Sequence, residues 1–348
     1  MTFTSTLGSL AIRRTMELDQ MKRWTLPCND KTFTTSVEFA EVCQLLKQGD
    51  LVALPTETVY GLAADATNGQ ACARIYSAKG RPQFNPLISH VEDLGAARQH
   101  GVFNLAANKL AEAFWPGPLT LVVPKLPNSP VSALVTAGLD SIALRVPNAP
   151  IMQALAKSCG VPLAAPSANL SGKISGTTAD DVAADLSDSL AYLIDGGPTK
   201  VGIESTIVSL VGSTPTLLRP GGISREAIEA VLDCTLATAG HNNSAPSAPG
   251  MLSSHYAPNA TLRLNALEVL PGEALLAFGQ DLPESAHVAT GVINLSPSRC
   301  LEEAAANLFS ALRAADKLGT NGIAAMPIPM EGLGEAINDR LKRAAAPR

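Results

Sequence analysis

The sequence predicts two α/β domains, a mixed open sheet with flanking helices followed by a smaller open α/β sheet. Three observations carry this. Short apolar runs alternate with segments of helical period from Ser36 to residue 232. The stretch 237–254, ATAGHNNSAPSAPGMLSS, is rich in Ala, Ser, Asn, Pro and Gly and has no apolar period, which is the composition of a linker. A second alternation follows and runs to the end of the chain. The expected division is a tail over 1–34, a first domain over 35–236, a linker over 237–257 and a second domain over 258–348. With 348 residues, 46% hydrophobic and 16% charged, each domain can bury its own core.

Val37, Ala40, Val42, Leu45 and Leu46 recur at helical spacing, with Ser36 placed to cap the helix and Gly49 to stop it. LVALP (51–55) is a buried strand. GQACARIYSAK (69–79) is a helix and PLISHV (86–91) a strand. NKLAEAFW (108–115) is a helix ended by Pro116-Gly117-Pro118, and LTLVVP (119–124) and SIALRVP (141–147) are strands. PIMQALAKSC (150–159) is a helix stopped by Gly160, and VPLAAPSAN (161–169) is a strand running into a polar loop. AYLIDGG, STIVSLVG and PTLLRPGG are strand-plus-turn units, closed by the helix SREAIEAVL (224–232). In the second domain EALLAFG, GVINLS and GIAAMPIP are strands. LEEAAANLFSALRAADKL (301–318) and GEAINDRLKRAA (334–345) are its helices.

Composition excludes several functions. The net charge is −5, and Arg13-Arg14, Lys22-Arg23 and Lys342-Arg343 are isolated pairs. No basic stripe is present to neutralise many phosphates of a nucleic acid or to meet an anionic membrane. The six cysteines are dispersed and form no C-x-x-C, and no H-x-x-x-H occurs, so no metal site is expected. Single thiols suit a reducing cytoplasm. Residues 1–34 hold no apolar run long enough for a signal peptide or a membrane span, and Met16 and Met21 are alternative starts.

Polar residues gather at strand ends in the first domain, where open α/β sheets bind ligands. PTETVYG (55–61) follows a buried strand, and Thr56, Glu57, Thr58 and Tyr60 are polar for a core. KGRPQFNPLISH (79–90) brings together Lys79, Arg81, Asn85 and His90 along a bend stiffened by two prolines. Lys supplies a point charge and Arg a planar fork for phosphate oxygens, although cations also suit a solvated helix end. Arg145 ends a strand bounded by Pro147 and suits a carboxylate, or solvent. AAPSANLSGKISG (164–176) offers Ser167, Asn169, Ser171 and Ser175 but is not a Walker A loop. GGPTKVGIESTIVSL leads to Ser205, and LLRPGG to Arg219. Neither a G-x-S-x-G elbow nor a dinucleotide G-x-G-x-x-G is present.

In this order LPTETVYGLAADA, KGRPQFNPLISHV, FWPGPLTLV, SIALRVP, PLAAPSANLSG, IDGG…GIESTIV and LLRPGGIS resemble the YrdC/Sua5 family. APGMLSSHYAP and the second domain, ending GLGEAINDRLKRAA, resemble its longer Sua5 type. The match runs through nearly the whole chain after residue 34, and one departure is Ala63, where many relatives have Gly. The resemblance implies a YrdC-like twisted mixed sheet and a Rossmann-like C-terminal domain. It implies synthesis of threonylcarbamoyl-AMP from L-threonine, bicarbonate and ATP, for the t6A modification of position 37 in ANN-decoding tRNAs. Its K-x-R and S-x-N signatures fall on Lys79/Arg81 and Ser167/Asn169. Lys79 and Arg81 would neutralise phosphate charge in the reaction. Thr58, His90, Arg145 and Ser205 would hold L-threonine. Arg81, Asn85, Ser141, Ala165, Ser167, Asn169, Ser175 and Arg219 would hold ATP, and Tyr256 would reach back over the nucleotide, making the linker a lid. Mg²⁺ would accompany ATP, without a tightly bound organic cofactor. The implied partners are the tRNA-modifying transferase machinery, with weak tRNA contact left open and no membrane. Two rival readings are an RNA-binding module of the same fold and a carbamoyl-handling enzyme of hydrogenase maturation. The acidic balance argues against the first, and the lack of C-x-x-C pairs against the second.

Overall fold

The computed structural model describes residues 21–26, 32–239 and 255–347. Eleven strands form the first sheet: β1 Lys22–Thr25, β2 Val52–Pro55, β3 Tyr60–Asp65, β4 Ile88–His90, β5 Leu119–Pro124, β6 Ser141–Arg145, β7 Leu163–Ala164, β8 Tyr192–Asp195, β9 Thr206–Ser209, β10 Thr216–Arg219 and β11 Ala237–Thr238. Their order is β1-β8-β2-β3-β7-β4-β6-β5-β9-β10-β11, with parallel and antiparallel neighbours mixed. The second sheet takes β12 Thr261–Arg263, β13 Glu273–Ala277, β14 Val292–Asn294 and β15 Gly322–Ala325 in the order β12-β15-β13-β14, and every pairing in it is parallel.

Alternation along the strands divides the core. Val52 and Leu54 face one apolar cluster with helices Val37–Gln48 and Pro150–Cys159. Ala53, Leu62 and Ala64 face a larger one with helices Gly69–Lys79, Leu105–Phe114 and Ala179–Leu186. The first helix starts where the sequence places it: Ser36 accepts from the Phe39 amide, and Gly49 ends it at φ +85°.

Two expectations are corrected, and one element is added. Residues 1–34 are not all tail, because Lys22–Thr25 pairs in parallel with β8 and Arg23 ties down to Asp195 at 2.6 Å. The added element is Tyr60–Asp65, a strand antiparallel to β2. Thr216–Leu217 pairs with Ala237–Thr238, so the expected linker begins with an edge strand. Residues 240–254 lie outside the described chain, whereas His255–Ala257 pack into the molecule.

The two domains share a core. Val59, Ile174, Ile203 and Tyr256 pack in one cluster with Ala305, Phe309 and Leu312 of helix Leu301–Lys317 and Ile337 of helix Gly334–Ala344. Arg313 reaches Asp185 at 2.7 Å, and Arg225 reaches Glu335 at 2.7 Å.

Candidate active site

β4 and β6 run parallel with His90 opposite Arg145, so both side chains leave the sheet at one end. β9 begins at that same end through its pairing with β5, which places Ser205 beside them. The β2–β3 turn adds Thr58, and β10 adds Arg219. The pocket at this junction is lined by Thr58, Arg81, His90, Arg145, Ala165, Ser167, Ser205, Arg219 and Tyr256 from the expected set. Val59, Ile88, Pro166, Glu204 and His255 complete it.

Arg145 is 4% exposed and multiply held. One of its terminal nitrogens lies 2.8 Å from Glu57 Oε1 and donates to Thr58 Oγ1 at 3.0 Å, and Nε donates to the Gly117 carbonyl. Glu57 also accepts the Asn148 amide, so a buried carboxylate fixes the angle of the fork. Burial, with the charge of Arg145 added, pushes the His90 imidazole down to about 3, and its Nδ1 has no partner. The ring is therefore neutral. Ser205 Oγ pairs with Thr120 Oγ1 at 2.7 Å.

On the other side Arg81 bonds the Asn85 and Pro86 carbonyls, and burial lowers its guanidinium to about 10, so it stays charged at neutral pH. Arg219 donates to the Ser205 carbonyl at 2.9 Å. Burial opposes charge on Glu204, yet Arg340 and Arg219 outweigh it and bring the carboxyl to about 2.

Other expected residues stand behind the wall rather than in it. Lys79 donates to the carbonyls of Ser167 and Asn169 and so tethers the S-x-N loop; burial lowers its ammonium well below the ordinary value. Asn169 braces the same loop through Leu170 and Lys173. Ser175 donates to Glu204 at 2.6 Å, and Asn85 is buried with Oδ1 unpartnered. Ser141 is not brought to the pocket. It starts β6, opposite Pro124, while Arg145 ends the strand about 13 Å away at the usual rise per residue.

Tyr256 does not roof an open site; it fills one. It is 1% exposed at φ +63°, and its ring lies between Phe309, at 5.3 Å, and the Arg340 guanidinium, at 5.2 Å. The space left in the pocket is about 40 Å³, enough for a water molecule and not for a nucleotide. A groove of about 430 Å³ lies between β10 and the last helix, where Arg225 pairs with Glu335 and Arg343 with Asp339.

Comparison with known proteins places this geometry. The Sua5/YciO/YrdC family model, described as "Telomere recombination", matches residues 44–221. A second model, "Threonylcarbamoyl-AMP synthase, C-terminal domain", matches 223–346. The chain belongs to the Sua5/YrdC family. Among its Sua5 relatives, the threonylcarbamoyl-AMP synthase of Bacillus subtilis is 41% identical over 94% of this chain and 98% of its own. That of Pyrococcus abyssi is 39% identical over 87% and 92%, and that of Schizosaccharomyces pombe 35% over 85% and 85%. The crystal structure of P. abyssi Sua5 complexed with L-threonine superposes with a TM-score of 0.83 at 34% identity, covering 94% of this chain and 98% of that one. The mixed sheet with its parallel-sheet companion is thus the Sua5 architecture. Among the described residues no helix is long and apolar enough to cross a membrane, and no group of three or more His, Cys, Asp or Glu side chains could hold a metal ion.

Sequence reasoning missed Glu204 and His255 as parts of the site. Glu204 sits one residue before Ser205 in GIEST, and His255 directly before Tyr256. The acidic side chain of Glu204 offers no sequence signal of its own, whereas the HYAP run could have suggested His255.

Proposed function

We propose that this protein is a threonylcarbamoyl-AMP synthase, joining L-threonine, bicarbonate and ATP into threonylcarbamoyl-adenylate with release of pyrophosphate and water. The observation that carries the reading is the division of one pocket into an amino-acid side and a phosphate side, within a chain similar to such synthases along nearly its full length.

On the first side, Arg145 is the cation placed for the threonine carboxylate. Thr58 and Ser205 bound the same end. The threonine amine must be neutral to attack carbon. His90 resists protonation, so it suits accepting a hydrogen bond from a neutral amine rather than holding an ammonium's proton. Attack on bicarbonate forms the N–C bond and expels water. A carbamate oxygen then attacks the α-phosphorus, and the bond to the bridging oxygen of pyrophosphate breaks. Arg81 and Arg219 face the phosphates, and Ser167 with the backbone at Ala165 borders the nucleotide. Lys79, Asn85, Asn169 and Ser175 act from behind by shaping the loops that carry these donors. No protein nucleophile is required, because positioning and charge neutralisation lower the barrier.

Mg²⁺ enters with ATP as part of the substrate. Glu204 is the one carboxylate among the pocket-lining residues, so phosphate oxygens would supply most of the ion's ligands. The His255–Tyr256 plug must leave to admit the nucleotide, which makes the segment after the linker a lid. The product serves t6A formation by a separate transferase in the cytoplasm.

The test is pyrophosphate release from ATP and Mg²⁺ without tRNA. Release that requires both L-threonine and bicarbonate, and drops at least about a hundredfold in Arg81→Ala, is expected. A folded protein with no threonine-dependent release overturns the reading in favour of an RNA-binding module.

A further inference from the structure

Arg340 belongs to the last helix of the second domain, yet its side chain has no solvent exposure. Its Nε donates to Glu204 Oε2 at 2.8 Å and its Nη1 to Asp339 Oδ2 at 2.7 Å. Its Nη2 has no partner among the described residues. An arginine serving only to join domains would normally have its buried donors filled.

Glu204 makes the position consequential. It is a buried carboxylate in the wall of a pocket read here as a polyphosphate site. A polyanion entering that pocket meets a like charge where screening by water is weak. Ser175 occupies one carboxylate oxygen but brings no positive charge. Left uncompensated, Glu204 would repel the polyanion from the wall of the pocket.

We propose that Arg340 is a positioning residue of the nucleotide pocket, contributed by the second domain: by neutralising Glu204 it lets a polyphosphate enter. This rests on the nucleotide reading above. Tyr256 covers the guanidinium face in the closed pocket, so the same cation that stabilises the plug prepares the site for what replaces it.

Calorimetric binding of Mg·ATP, inorganic pyrophosphate and L-threonine to the full chain tests this. In Arg340→Gln, ATP and pyrophosphate should weaken by about tenfold or more, while L-threonine, which carries no net charge, stays within about twofold. Arg340→Lys should restore most of the loss. Glu204→Gln/Arg340→Gln should also restore it, because the charge needing compensation is gone and the two amides can still pair. That double variant carries the test if the single one does not fold. Equal weakening of all three ligands, or a double variant as weak as the single, would show that Arg340 merely holds the domains together. Wild type that binds L-threonine but neither ATP nor pyrophosphate overturns the synthase reading, and this proposal with it.

Discussion

His90 and His255 are both held near 3 by burial, against 6.5 for an ordinary imidazole. The unfolded chain therefore binds more protons than the folded one between those values, and stability rises with pH across that window. The contribution is complete above about pH 6.5 and falls by about 1.4 kcal/mol per pH unit for each histidine as pH drops toward 3. Urea midpoints measured from pH 7.5 to 5 should fall steeply below 6.5, and His255→Asn should shallow that slope. A flat profile would mean that the imidazoles are not buried neutral. Glu204 acts in a separate window: its depressed carboxyl adds stability that is lost only as pH falls from about 4.5 through 2. At this scale the sequence was legible where side-chain type announced its partner. Arg145 and Arg219 at strand ends and Arg81 on the bend after a helix suited anions, and all three line the pocket. Arg340 was not legible, because on an amphipathic helix an arginine between Asp339 and Lys342 looks like part of a solvated face.

Helix Val37–Gln48 was readable end to end because its caps are chemical. Ser36→Ala removes the acceptor for the Phe39 amide and should cost about 1 kcal/mol in urea unfolding, with threonine-dependent turnover unchanged. Unchanged stability would show that the helix is held by packing alone. Strands without such punctuation were missed. Tyr60–Asp65 is buried on both faces, so YGLAAD shows no alternation, and Thr56 turns the chain through bonds to Val59 that composition does not reveal. β1 and β12 are four and three residues long, too short for any period. Lys79 shows an element-level role hidden in a residue-level motif: its ammonium joins the end of one helix to the loop after β7, so the K-x-R and S-x-N signatures are two halves of one brace.

Across the whole molecule, the domains meet too closely for a loose tether. Gly202 lies at φ +74°, where an added Cβ would stand 2.3 Å from the Ala306 carbonyl oxygen and 2.5 Å from its Cα. These are backbone atoms of a long helix and cannot swing aside. Gly202→Ala should cost about 3 kcal/mol or more and separate the two domains, seen as a split thermal transition. Gly138→Ala, at φ +77° with open space around it, carries the conformational term alone and should cost about 1 kcal/mol within a single transition. Equal shifts in the two variants would show that the contact is not tight. The division into domains was visible in composition, but the shared core was not, since Val59, Ile174 and Ile203 read as ordinary apolar residues of the first domain.

The strand Lys22–Thr25 bears on where translation of this chain can usefully begin. It is laid along β8, which would otherwise end the sheet. A message read from Met16 or from Met21 still encodes all four of its residues. A start further downstream would leave the β8 backbone uncovered, offering a second molecule a row of open hydrogen-bonding groups to pair with. Those four residues guard the protein against edge-to-edge pairing with its own kind.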